Sequence, residues 1–86
     1  MSAYGVRVRV RLFAALREAV GRGELELELP SGATAESAWS RLTEAHPTLS
    51  ERRSRLAASV NRRYADFAAP LRDGDEVVFI PPVSGG

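Results

Sequence analysis

Cysteine is absent from this 86-residue chain, which rules out disulfides, thiolate metal sites and cysteine nucleophiles. Any sulfur chemistry in which the chain takes part must use sulfur brought from elsewhere. Lysine is absent as well. All twelve basic residues are arginine, so there is no Schiff-base or lysine-base chemistry and no side chain to accept an isopeptide-linked chain. One histidine, His46, and one tryptophan, Trp39, are present. His46 closes a helical stretch and has no base–nucleophile partner nearby, so a cap or solvent role is expected of it. A formal net charge of +1 lacks the clustered basic excess of nucleic-acid binders. Arg52, Arg53, Arg55, Arg62 and Arg63 make a local run of positive charge, expected to be a solvated face, with docking to an acidic partner as the alternative. No window reaches a membrane-spanning length and Met1–Gly5 has no apolar signal core, so cytoplasmic residence is the expectation.

What is present describes one small domain. A chain of this length buries a little over ~60% of its unfolded surface, enough for a modest core. Val6, Val8, Val10 and Leu12 alternate with Arg7, Arg9 and Arg11, and Leu25, Leu27 and Leu29 alternate with Glu24, Glu26 and Glu28. Period-two alternation of this kind marks half-buried strands. Paired antiparallel so that opposed residue numbers add to thirty-five, the two strands set Arg11 against Glu24, Arg9 against Glu26 and Arg7 against Glu28. Valine meets leucine on the other face. One register satisfies both faces, and it gives these arginines a structural role. Between the strands, Phe13, Leu16 and Val20 have helical spacing that predicts a short helical link ending near Gly21.

Thr34 is a good N-cap, and Ala35, Ala38, Trp39, Leu42 and Ala45 form one apolar face of a helix that Pro47 ends. Trp39 on that stripe reads as core. Residues 48–55 predict a loop or loose helical turn, residues 56–60 and 62–67 two short strands turned at Asn61, and Asp73–Asp75 a turn into a final strand, Glu76–Ile80. The order predicts an α+β two-layer domain with one helix on one face of a mixed sheet. The final strand is apolar on both sides, which predicts a central position and some apolar surface on the uncovered face. Residues such as Phe67 could fold over that surface.

The final strand stops at Pro81-Pro82, which fix φ and donate no ladder hydrogen bonds. The expected division is a domain over residues 1–80 and a tail over residues 81–86. Extended, the six tail residues reach roughly 20 Å. A tail of Val83, Ser84, Gly85 and Gly86 can thread a narrow channel and present a terminal carboxylate, because glycine tolerates close backbone approach. A carboxylate is a poor acyl donor, so chemistry at Gly86 needs activation from outside, most simply as an acyl-adenylate made from ATP. The chain has no phosphate-cradling Gly-rich loop, so ATP and magnesium would belong to a partner.

The Phe13-Ala14 opening with Leu16-Arg17-Glu18, the Val60-Asn61 pair, the run Pro70 to Val77 and above all the ending Phe79-Ile80-Pro81-Pro82-Val83-Ser84-Gly85-Gly86 resemble the small subunits of molybdopterin synthase (MoaD-type). That family consists of ubiquitin-like β-grasp sulfur carriers, and the resemblance spans nearly the whole chain. It implies adenylation of Gly86 by an enzyme similar to ubiquitin-activating enzymes and conversion to a thiocarboxylate by a persulfide donor. It further implies insertion into the large subunit of molybdopterin synthase, in a heterotetramer, and sulfur delivery to cyclic pyranopterin monophosphate. Under the resemblance Gly86 bears sulfur, Gly85 passes the channel, and Pro81, Pro82, Val83 and Ser84 form the stalk. Phe79, Ile80, Val78 and Phe67 are the expected docking residues. The large subunit supplies the catalytic side chains, and no cofactor or metal is expected on this chain. Carriers for thiamine, cysteine or tRNA thiolation, ubiquitin-like protein modifiers and a plain interaction module are the rival readings.

Overall fold

The computed structural model describes residues 5–82. Residues 83–86, which hold the expected channel and sulfur-bearing positions Val83, Ser84, Gly85 and Gly86, lie outside the described residues. Among the described residues five strands form one sheet in the order β2-β1-β5-β3-β4: β1 Gly5–Arg11, β2 Glu24–Pro30, β3 Ala57–Val60, β4 Arg63–Ala65 and β5 Glu76–Ile80. β1 and β5 run parallel and every other pair is antiparallel. The central place of β5 agrees with its composition, apolar on both faces from Val77 to Ile80. A short helix α1, Ala14–Val20, links β1 to β2 and ends at Gly21 in a left-handed conformation, φ 87°. Helix α2, Ala35–Ala45, crosses one face of the sheet, and a 3-10 helix, Pro47–Arg55, leads to β3. This is the expected ubiquitin-like β-grasp.

The β1–β2 register is the one the alternation demands, from Gly5 opposite Pro30 to Arg11 opposite Glu24. The ion pairs only partly follow it. Arg7 pairs with the directly opposed Glu28 at 2.7 Å, but Arg9 reaches diagonally to Glu24 at 3.0 Å, and Arg11 turns towards Glu76 on β5 at 3.7 Å. Diagonal neighbours lie within reach of long side chains, and β5 supplies an acidic neighbour on the other flank.

The core lies between α2 and the sheet. Val8, Val10, Val77, Phe79 and Ala58 rise from the strands to meet Ala35, Ala38, Trp39 and Leu42 of α2, with Leu12, Leu16, Leu49 and Leu71 closing the ends. The apolar stripe of α2 stops at Leu42, and Ala45, expected to continue it, is exposed. The first amides of α2 are fully accounted for. Ala35 and Glu36 donate to the carbonyls of Ala69 and Phe67, while Thr34 and Ser37 form a reciprocal capping box. Residues 66–71 therefore hold the helix N-terminus.

Two of the segments that carry the family resemblance converge in space. Asn61 adopts φ 53° in the β3–β4 turn, donates through Nδ2 to Asp75 at 2.8 Å and accepts from the Glu76 amide at 2.9 Å. Asp73 accepts from the Arg7 amide at 2.8 Å, and the Gly74 amide donates to the Arg7 carbonyl at 2.7 Å. Val60-Asn61 and Pro70–Val77 are thus one junction that fixes the start of β5 against both of its neighbours. The far end of β5, at Ile80, is where the chain leaves the sheet.

Candidate functional site

Strand alternation sorts the final strand into two sides. Val77 and Phe79 point under α2 and are fully buried, whereas Val78 and Ile80 point to the uncovered face and are half-buried. Phe79, expected to dock a partner, is therefore a core residue. Its ring meets Trp39 edge-on with centroids 5.1 Å apart and stacks on Phe67 at 5.9 Å. Phe67 does not fold over the uncovered face either. It lies on the helix side, with the Arg53 guanidinium stacked 3.4 Å from its ring centroid. Arg53 in turn holds Glu36 through two guanidinium nitrogens, and Nε lies 2.9 Å from Oε1. That hydrogen-bonded pair keeps the Glu36 carboxyl below and the Arg53 guanidinium above their ordinary values. Of the four expected docking residues, Phe79 is thus buried in the core and Phe67 half-buried on the helix side, while Val78 and Ile80 lie on the uncovered face.

Cross-strand register shows what surrounds them. Ser59 on β3 opposes both Val78 and Tyr64, Ala57 opposes Ile80, and Arg11 on β1 neighbours Val78. These residues share the uncovered face, which splits along the β1–β5 line. The β1–β2 half is the ladder of alternating arginine and glutamate, and the β5–β3–β4 half is small or apolar apart from Glu76, which pairs with Arg11. Tyr64 is 81% exposed and Phe13, just past the end of β1, 46%. The Arg11 guanidinium lies 5.5 Å from the Phe13 ring centroid, and its buried Nε has no acceptor among the described residues. Phe13 and Tyr64 were not expected at this site. The only signal in the sequence is that each continues the outward-facing set of its strand, Phe13 two residues past Arg11 and Tyr64 next to the Asn61 turn.

The chain leaves this face at Pro81 and Pro82. Both line a cavity of about 300 Å³ whose other walls are Thr48, Glu51, Arg52, Arg55 and Leu56. Tail root, apolar patch and arginine-lined cavity thus share one end of the molecule. A second depression, about 360 Å³, lies over Arg7, Arg9, Glu26, Glu28 and Asp73 at the opposite end. Among the described residues no group of three or more His, Cys, Asp or Glu side chains is placed to hold a metal ion, and no helix is long and apolar enough to cross a membrane. What the described residues offer here is a surface and the root of a stalk.

The fold and this site define a β-grasp protein of the ubiquitin-like class. The chain belongs to the ThiS family, whose model matches residues 10–86. It is 38% identical over 81 residues, 94% of this chain and 84% of the relative, to the molybdopterin synthase sulfur carrier subunit of Arabidopsis thaliana. Among solved structures it is similar to SAMP1, a small archaeal modifier protein, from Haloferax volcanii, with TM-score 0.84, 30% identity and coverage of 93% of this chain and 99% of that one. Ubiquitin from Caldiarchaeum subterraneum shares the fold alone, with TM-score 0.62, 17% identity and coverage of 95% and 99%.

Proposed function

We propose that this chain is the sulfur carrier subunit of a molybdopterin synthase, with Gly86 as the sulfur-bearing residue. The carrying observation is a near full-length likeness to curated molybdopterin synthase sulfur carrier subunits, joined to a tail root that leaves the sheet beside an exposed apolar patch. In this reading an adenylating partner uses ATP and magnesium to convert the Gly86 carboxylate to an acyl-adenylate, releasing pyrophosphate. The terminal sulfur of a donor persulfide attacks the acyl carbon and AMP departs. A thiol then cleaves the resulting acyl disulfide and leaves a thiocarboxylate on Gly86. The large subunit of the synthase receives the tail and directs this sulfur to cyclic pyranopterin monophosphate.

The division of labour follows from chemistry. In this reading the chain's contribution is position, and the large subunit supplies the catalytic side chains. Val78, Ile80, Phe13 and Tyr64 dock the partner, Pro81 and Pro82 stiffen the stalk, and Val83, Ser84 and Gly85 pass through the channel without bulk. The test is reconstitution of molybdopterin formation with the large subunit, the adenylating enzyme, ATP and a sulfur donor. Deletion of Gly86 is expected to abolish product while the chain still folds and still binds the large subunit. Product formation by the deletion variant contradicts the assignment.

The likeness to a small archaeal modifier protein favours a second reading, in which Gly86 is joined to lysines of target proteins. Higher-mass conjugates in cell extract, lost on deletion of Gly86, would support it.

A further inference from the structure

The run of five arginines between positions 52 and 63 is divided by the fold into three parts with different roles. Arg53 is engaged by Glu36 and Phe67. Arg62 and Arg63 lie at the β3–β4 turn, at the end of β3 opposite Ala57, the residue that pairs with Ile80. Arg52 and Arg55 are exposed on the 3-10 helix and line the cavity that Pro81 and Pro82 close. Among the described residues neither takes part in an ion pair, whereas Arg7, Arg9, Arg11, Arg41 and Arg53 each do.

Position makes this pair consequential. Any protein that receives the tail must surround the chain as it leaves the body, and at that point Pro81 and Pro82 form one surface with Thr48, Glu51, Arg52, Arg55 and Leu56, in which the two arginines outweigh the one carboxylate. The rim of the receiving channel therefore rests against two guanidinium groups. Arginines brought against a partner's surface are favoured most where that surface supplies carboxylates, and such charges act mainly on the rate of encounter.

We propose that Arg52 and Arg55 form an electrostatic guide at the root of the tail, recognising carboxylates on the rim of the partner channel that takes the tail in. This rests on the sulfur carrier reading above. The guide lies beside the apolar patch and is separate from it. The patch holds the docked complex together, and the arginines orient the approach so that the tail meets the channel mouth.

The test is stopped-flow association of the full chain with the molybdopterin synthase large subunit encoded in the same genome. The double variant R52E/R55E is compared with R63E/R72E, which changes net charge equally at the far end of the sheet, and with the neutral pair R52Q/R55Q. Equal thermal unfolding of all proteins establishes that each is folded. The guide predicts that R52E/R55E slows association about tenfold or more at low salt, with R52Q/R55Q between it and the wild type and R63E/R72E within about twofold of the wild type. The difference is expected to shrink as ionic strength rises from about 0.01 M to about 0.15 M and the screening length falls from roughly 30 Å to roughly 8 Å. Equal rates for the two charge-reversed variants overturn the guide while leaving the carrier reading in place. Failure of the wild-type chain to bind the large subunit overturns both.

Discussion

Trp39 on α2 and Phe79 on β5 meet edge to face, their ring centroids 5.1 Å apart at an interplanar angle of 70°. This contact joins the helix to the strand that leads into the tail. Trp39 is 3% exposed and Phe79 fully buried. Truncation of Trp39 to alanine is expected to cost about 3–5 kcal/mol in chemical denaturation, as for other emptied core aromatic sites. A cost under about 1 kcal/mol would contradict the placement of this ring in the core.

Phe79 and Ile80 are chain neighbours on opposite faces of β5, and their substitutions should separate cleanly. Phe79→Ala is expected to lose about 3–5 kcal/mol of stability. Ile80→Asp, on the uncovered face, and Phe13→Ala are expected to leave the chain folded and to weaken binding of the large subunit by about 2 kcal/mol each, as for anchors in a docking patch. Denaturation and calorimetric titration of the same proteins check both halves. Strong binding by both surface variants would remove the patch from the docking account.

Asn61 offers a test of the junction between β3, β4 and β5. Asn61→Ala loses the hydrogen bonds to Asp75 and Glu76 and puts alanine, which lacks asparagine's tolerance of the left-handed region, at positive φ, for an expected cost of about 1–3 kcal/mol. Asn61→Gly keeps the backbone conformation accessible and is expected to cost less than the alanine variant in the same denaturation series. The reverse order would contradict the role given to the positive φ.

Glu36 makes stability depend on pH at the acid end. The hydrogen bond from Arg53 depresses its folded value below the ordinary 4.5, against an opposing effect of burial. Because the folded value is the lower one, the stabilisation is fully present above 4.5 and is lost as pH falls through the folded value. Arg53 stays protonated throughout and contributes no titration of its own in this window. Glu36→Gln is therefore expected to flatten the fall in thermal stability below that pH relative to the wild type. Identical acid profiles for the two proteins would contradict the pair's contribution.

Some of this architecture was legible in the residues and some was not, for physical reasons. The β1–β2 register could be read in full because Arg7 to Arg11 and Glu24 to Glu28 alternate on one face while valine and leucine alternate on the other, and a slip of one residue would ruin both. The individual ion pairs could not. Arg9 chose a diagonal partner, and Arg11 a partner on a strand whose adjacency to β1 is set by a distant crossover. The side of Phe79 was hidden because Val77 to Ile80 are all apolar, so period-two contrast vanishes, and only the packing of α2 decides it. Phe67 was misplaced because its neighbours are an arginine fourteen positions away and a carbonyl role at the α2 N-terminus, neither of which local sequence announces. Arg52, Arg53 and Arg55 look alike in the chain, and only the 3-10 helix turns one towards Glu36 and two towards the tail root.

The central claim is that Gly86 accepts sulfur, and its direct test is intact mass. The full chain is incubated with its adenylating enzyme, ATP, magnesium and a persulfide donor, and then weighed whole and as its C-terminal peptide. The account predicts a species heavier by the difference between sulfur and oxygen, localised to Gly86 and missing when ATP is withheld. An unchanged carboxylate at Gly86 under complete conditions would contradict it.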